Sequence, residues 1–317
     1  MRFVLFTPGL TLALIACARN PLDASPVNCG SGEEACGATC VPKGSCSPDA
    51  GTTSTASATA TATSTTLPSS NCTDKASLQK KMTTQYDGAF LTVNGSNKQY
   101  YVQSNWWSKF VDQTVAVDGL SYTLGNPNNR TADGSDPMGY PSFFIGSYSG
   151  NSTAGSNLPK QVSALTKVPT VLSTNAKSKG TSNYNASYDV WFTASGAPLS
   201  SFDYSPGPGG AYLMVWLFMP SDRQPRGGGP HARGQKVGSL PGTWDVWVDS
   251  SNPPCISYVS TTQIETLDFD LNQVIQDAVT KGYGITSSMY LSIIFGGFEV
   301  WGGADGLQLE AFCASVQ

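Results

Sequence analysis

Seven tryptophans, Trp106, Trp107, Trp191, Trp216, Trp244, Trp247 and Trp301, lie in or beside short segments that alternate apolar and polar residues. Alternation sends every second side chain to one face of a strand, so a curved sheet made of these segments can present a row of indoles. Indoles displayed in this way stack on the apolar faces of pyranose rings. Core packing is the competing use, and Trp191, Trp244 and Trp247 read as core, whereas Trp107, in Ser104-Asn105-Trp106-Trp107, reads as a substrate platform. The other chemistry-bearing residue types exclude more than they offer. The single histidine, His231, leaves little material for histidine-based mechanisms. No cluster has metal-ligand spacing, and a nucleophile elbow and a phosphate loop are both absent, so neither metal nor cofactor is expected. With 13% charged residues and a formal net charge of -4, the chain carries no basic field for nucleic acid. Arg223, Arg226 and His231 fall in a Gly- and Pro-rich loop that either lines a rim or is solvated. Asp268 and Asp270 read as helix caps and Glu265 as a surface residue.

The elements that must position these residues are mostly strands. Alternating runs at 90–93, 100–103, 188–192, 211–218, 244–248, 256–260, 289–295 and 307–312 are separated by Gly, Pro, Asn and Ser turns. Even spacing of this kind predicts a sandwich or barrel. One helix is expected at 271–281, where Leu271, Val274, Ile275 and Ala278 share a face and Asp270 stands at the start. The predicted architecture is an all-β jelly-roll sandwich with a concave cleft and one packed α-helix.

The first part of the chain has a different character. Residues 1–18 combine Arg2, an apolar run and Ala16-Cys17-Ala18, the pattern of a secretory signal peptide. Cys29, Cys36, Cys40 and Cys46 make 26–48 a small disulfide-rich module, and 49–70, rich in Ser and Thr, reads as a glycosylated disordered linker. The main domain is placed at 71–317. Five Asn-x-Ser/Thr sequons, at Asn71, Asn94, Asn129, Asn151 and Asn185, agree with secretion. The apolar run is too short to span a bilayer, and no membrane or nucleic-acid partner is expected. Cys72, Cys255 and Cys313 allow at most one disulfide within the main domain, the pair being open.

Six stretches carry a specific resemblance: Gly139-Tyr-Pro-Ser-Phe-Phe, Asn157-Leu-Pro-Lys-Gln-Val, Tyr184-Asn-Ala-Ser-Tyr-Asp-Val-Trp, Leu213-Met-Val-Trp-Leu, Gly242-Thr-Trp-Asp-Val-Trp and Gly296-Gly-Phe-Glu-Val-Trp-Gly-Gly. In this order they resemble the signatures of glycoside hydrolase family 12, in a fungal secreted member with an N-terminal Cys-rich segment. The resemblance implies a concanavalin A-like glucanase fold and retaining endo-cleavage of β-1,4-glucan, cellulose or xyloglucan, by a monomer. It makes Glu299 the acid/base, Asp189 a supporting carboxylate, and Asn105, Trp107, Met214, Trp216 and Trp301 the substrate surface. The family's nucleophile opens a Glu-x-Met-x-Trp strand, and here that strand reads Tyr212-Leu-Met214-Val-Trp216. Three outcomes stay open: a silent glucan-binding or decoy protein, a tyrosine nucleophile assisted by Asp189, or Asp189 itself activating water or attacking. Retention needs carboxyl groups about 5 to 5.5 Å apart, so the expected arrangement has Glu299 and Tyr212 facing each other across a trough.

Overall fold

The structure, a computed structural model, describes residues 73–317 apart from 108–111, 133, 135, 180–182 and 201–204, together with the backbone of 18–19, 33–36 and 39–42. The expected signal peptide and linker lie outside the described residues. So does the Cys-rich module, apart from a backbone hairpin of Glu33–Cys36 with Thr39–Pro42.

Two sheets face each other. The larger runs from edge to edge through Pro230–Gln235, Trp244–Asp249, Cys255–Ser260, Ala211–Trp216, Tyr184–Thr193, Tyr290–Val300, Ser142–Tyr148, Gln99–Gln103 and Gly88–Thr92. All neighbours are antiparallel except Ala211–Trp216 with Cys255–Ser260, which run parallel. The smaller sheet is Thr266–Asp270, Pro169–Thr174, Gln308–Ala314, Ser121–Gly125, Thr114–Asp118 and Gln79–Met82. This is a β-jelly-roll sandwich, and each expected strand lies within or overlaps an observed one. The expectation omitted the strands at 79–82, 114–118, 121–125, 142–148, 169–174, 230–235 and 266–270; of these, 142–148 is buried throughout, which hides the period-of-two pattern.

Period-two alternation divides the large sheet into two apolar layers. Tyr184, Ala186, Tyr188, Val190 and Phe192 of the Tyr184–Thr193 strand point between the sheets, with Leu213, Val215, Ile294 and Phe298 beside them. From the small sheet come Leu172, Leu309 and Phe312, and Phe143 stacks on Phe312 at 6.0 Å with rings 7° apart. The opposite, concave face collects Trp191, Tyr212, Met214, Trp216, Phe295 and Trp301. Trp244 and Trp106 belong to the intersheet core, whereas Trp191 and Trp247 lie on the concave face. The core reading of Trp191, Trp244 and Trp247 holds, in two layers: the register turns Trp191 and Trp247 outward from the sandwich, and they are buried by neighbours on that face.

The helix spans Asn272–Thr280, buries Val274, Ile275 and Ala278, and has Leu271 rather than Asp270 at its N-cap. Asp270 Oδ1 still accepts from the amide of Asn272 at 3.0 Å and of Val168 at 2.7 Å, tying the helix entry to the small sheet. Asp268 sits within a strand opposite Val171 rather than at a cap. Cys255 and Cys313 are each disulfide-bonded, Cys255 on the concave face of the large sheet and Cys313 in the small one.

Candidate active site

The Tyr184–Thr193 strand is the ruler on which the site is laid out. Asn185, Ser187, Asp189 and Trp191 are its concave-face positions. Asn185 pairs with Glu299, Asp189 with Phe295 on one side and Met214 on the other, and Trp191 with Tyr212. Glu299, Asp189 and Tyr212 therefore share one face of three adjacent strands.

Glu299 is fully buried, at 0% exposure. Asn185 Nδ2 donates to Glu299 Oε2 at 2.6 Å, the Glu299 amide donates back to Asn185 Oδ1 at 3.3 Å, and Oε1 has no partner. The end of this strand is bonded to Ala132 and Met138: Ala132 N donates to Trp301 O at 2.6 Å and Met138 N to Val300 O at 2.6 Å. Burial pushes the Glu299 carboxyl up to about 8, the Asn185 hydrogen bond partly opposing it and the charge of Asp189 adding to it. A carboxyl held protonated at neutral pH is what a general acid requires. The expected open trough is corrected in one respect: the side chains share a face, but Glu299 is sealed from solvent.

Asp189 is nearly as enclosed. Its Oδ2 accepts from Trp191 Nε1 at 2.9 Å, and its Oδ1 has no partner. Burial raises it to about 7 against the lowering effect of that indole bond. Its charge reaches Glu299, Tyr140 and Tyr212, which places it among all three. Tyr140 is fixed in turn by donating from its hydroxyl to Ser187 O at 2.8 Å.

Tyr212 meets Trp191 edge to face at 5.4 Å. Burial is the main influence on its phenol and the charge of Asp189 the next; together they push its pKa far above the usual tyrosine value, while Ser205 and Arg226 oppose them. A phenol of that kind stays protonated and is a weak nucleophile.

The remaining residues divide. Met214, Trp216 and Trp301 line the concave face but are buried, and the Trp216 Nε1 has no partner. Trp107 packs half-buried against the same cluster. Asn105, expected to contact substrate, adopts φ 44°, a left-handed conformation that Asn tolerates, and its amide is occupied internally. Its Oδ1 accepts from Trp107 Nε1 at 2.9 Å and its Nδ2 donates to Tyr140 O at 3.3 Å, so it orients the indole. The arginines of the 217–230 loop sit at the rim: the Arg223 guanidinium lies 5.4 Å over the Trp301 ring, and Arg226 pairs with Asp249 at 3.4 Å. His231 is exposed beside Tyr283. Beyond Trp216 a pocket of about 450 Å³ opens between Met219, Trp247, Val259 and Gln263. No group of three or more metal-ligating side chains occurs among the described residues.

A family model, Glycosyl hydrolase family 12, matches residues 98–317. The chain belongs to family 12 of the glycosyl hydrolases. Among family relatives, the protein named "Probable cellulase Cel12b" of Mycobacterium tuberculosis is 30% identical over 162 residues, 51% of this chain and 99% of that one. Endoglucanase S of Pectobacterium parmentieri is 24% identical over 232 residues, 70% of this chain and 83% of that one. Among solved structures, endoglucanase cel12A from Rhodothermus marinus superposes with a TM-score of 0.64 at 31% identity, covering 75% of this chain and 99% of that one. A family 12 xyloglucanase from Bacillus licheniformis, at 21% identity and TM-score 0.60, shares the fold.

Against the family pattern, sequence reasoning passed over Asn185, Tyr140 and Trp191. Asn185 drew notice only as a sequon, yet it is buried and bonded to Glu299, which removes it from the glycosylation acceptors. The signal for it was present, since Asn185 and Trp191 stand at even offsets from Asp189 and must share its face.

Proposed function

We propose that this chain is a secreted glycoside hydrolase that cuts β-1,4-glucan, cellulose or xyloglucan, within the polymer, with Glu299 as the proton donor. One observation carries the reading. A buried glutamate raised to about 8, gripped by Asn185 through one oxygen and with the other unpartnered, stands on the concave face of a family 12 sandwich. Where a sugar reaches its unpartnered oxygen, such a group delivers a proton to the oxygen of a departing sugar, a contribution of about 10²- to 10⁴-fold in rate. The relatives named as cellulase and endoglucanase support the substrate class, and half-buried Trp107 supplies ring-stacking surface beside the buried tryptophans of the concave face.

A second reading, a catalytically silent glucan-binding or decoy protein, draws on Tyr212, whose protonated phenol occupies the position of the family's nucleophile. Reducing-end release from a soluble cellulose derivative and from xyloglucan, compared between the native chain and Glu299→Gln, decides between them. Release by the native chain and none by the variant supports the hydrolase. Equal near-zero release with retained polymer binding supports the silent protein.

A further inference from the structure

We infer that Cys255 is disulfide-bonded to Cys17, so that the mature chain begins no later than Cys17 and is fastened beside the concave face at its Tyr212 end. The inference is independent of the hydrolase reading.

Cys255 and Cys313 are each in a disulfide, and geometry keeps them from being each other's partner. Cys255 stands on the concave face of the large sheet, in register with Tyr212 on one side and Asp249 on the other. The sulfur of Cys313 lies 3.8 Å from the hydroxyl of Tyr100, whose strand is five places from that of Cys255 in the same sheet, about 24 Å across. A disulfide needs Cα atoms about 4.4 to 6.8 Å apart. The Tyr100 hydroxyl also donates to Asp74 Oδ2 at 2.5 Å, and Asp74 follows Cys72 by two residues, which brings Cys72 within reach of Cys313.

The partner of Cys255 then comes from Cys17, Cys29, Cys36, Cys40 and Cys46. The hairpin of Glu33–Cys36 with Thr39–Pro42 pairs with no other strand among the described residues. The residues that follow Cys17 do reach the large domain: Ala18 and Arg19 pair antiparallel with Pro225 and Gln224. One further step of that register sets Cys17 opposite Arg226. Arg226 Nε lies 3.4 Å from Asp249 Oδ2, and a Cβ placed on Gly227 would come 2.9 Å from Val248 O and 3.4 Å from Asp249 N, so this stretch of loop runs against the strand of Asp249. Asp249 is the register partner of Cys255. The assignment also divides the eight cysteines of the sequence into whole pairs, leaving Cys29, Cys36, Cys40 and Cys46 to bond within their own module.

The bond forms by thiol–disulfide exchange: the two thiols give up two protons and two electrons, which reduce a donor disulfide of the secretory compartment to a dithiol. Cleavage after residue 18 would discard Cys17, so the processing point moves to before Cys17. The same fastening braces the loop whose Arg223 guanidinium lies 5.4 Å over the Trp301 ring.

The test is peptide mapping of the full secreted chain by mass spectrometry without reductant, together with sequencing of its N-terminus. A peptide pair joining Cys17 to Cys255 that separates on reduction, in a chain starting at or before Cys17, is the expected result. Cys255 joined to another cysteine, a Cys17 sulfur carrying any other group, or a chain starting at Ala18 or later overturns the inference. Trypsin cutting after Arg223 and Arg226 is expected to be about tenfold faster in Cys17→Ser, since cutting follows the opening of the loop. Equal cutting of the two chains overturns the bracing role.

Discussion

At the scale of single residues, the two proposed readings divide on Tyr212, which stands where the family resemblance puts the nucleophile. Tyr212 meets Trp191 edge to face and presents a phenol that burial keeps protonated where that resemblance puts a carboxylate. Loss of a covalent catalyst that works in concert with its partners costs on the order of 10⁴ to 10⁶ in rate, so restoring it is a direct probe of the rest of the cleft. Tyr212→Glu is expected to raise glucan hydrolysis by about 10²-fold or more, with the retained β-anomer released first. Arg226, whose charge already reaches position 212, is placed to hold the new carboxylate ionised. A folded variant with no gain in reducing-end release would mean that the face has diverged beyond this position. Tyr212 itself was legible in the sequence because Met214 and Trp216 fix its register; its protonation was not, since that depends on what buries it.

At the scale of elements, the strand that carries Glu299, the proposed acid, is held against Ser142–Tyr148 by a close backbone approach. A Cβ placed on Gly297 would lie 2.2 Å from Pro141 O and 2.8 Å from Ser142 Cβ, so only glycine lets the strands pair there, two residues before Glu299. Gly297→Ala is expected to lower stability by about 1–3 kcal/mol in urea unfolding through overpacking. It should also reduce kcat by about 100-fold through displacement of the carboxyl, with KM less affected. Equal kcat in the variant would show that Glu299 is positioned from elsewhere, by Asn185 alone. The Gly-Gly pair could be seen in the sequence, but the carbonyl that excludes a side chain belongs to a residue 156 positions away in the chain, between Pro141 and Gly297. The strand at 142–148 was missed for a related reason: both faces are covered, so burial erased its alternation.

At the scale of the whole molecule, two carboxyl groups buried without a cation impose a pH dependence on unfolding. Glu299 moves from 4.5 to about 8 and Asp189 from 3.8 to about 7 on folding. The folded protein therefore retains protons that the unfolded chain has released, so stability is full below about pH 4 and declines as pH rises through about 7 to 8. Thermal unfolding followed from pH 5 to 9 should show the midpoint falling, and the combined Asp189→Asn and Glu299→Gln variant should fall less. A parallel decline in both would place the origin elsewhere. From the sequence by itself came the all-β sandwich, the helix around 272–280 with its buried face, the six stretches that resemble family signatures, and the register of Tyr212 with Met214 and Trp216, because alternation and short motifs are local properties. The tertiary structure alone decided that Glu299 is sealed and held by Asn185, that Asn105 serves Trp107, and that Trp191 faces the cleft side. Those facts arise where strands distant in sequence meet, and the energies of buried charge depend on the neighbours that pairing brings.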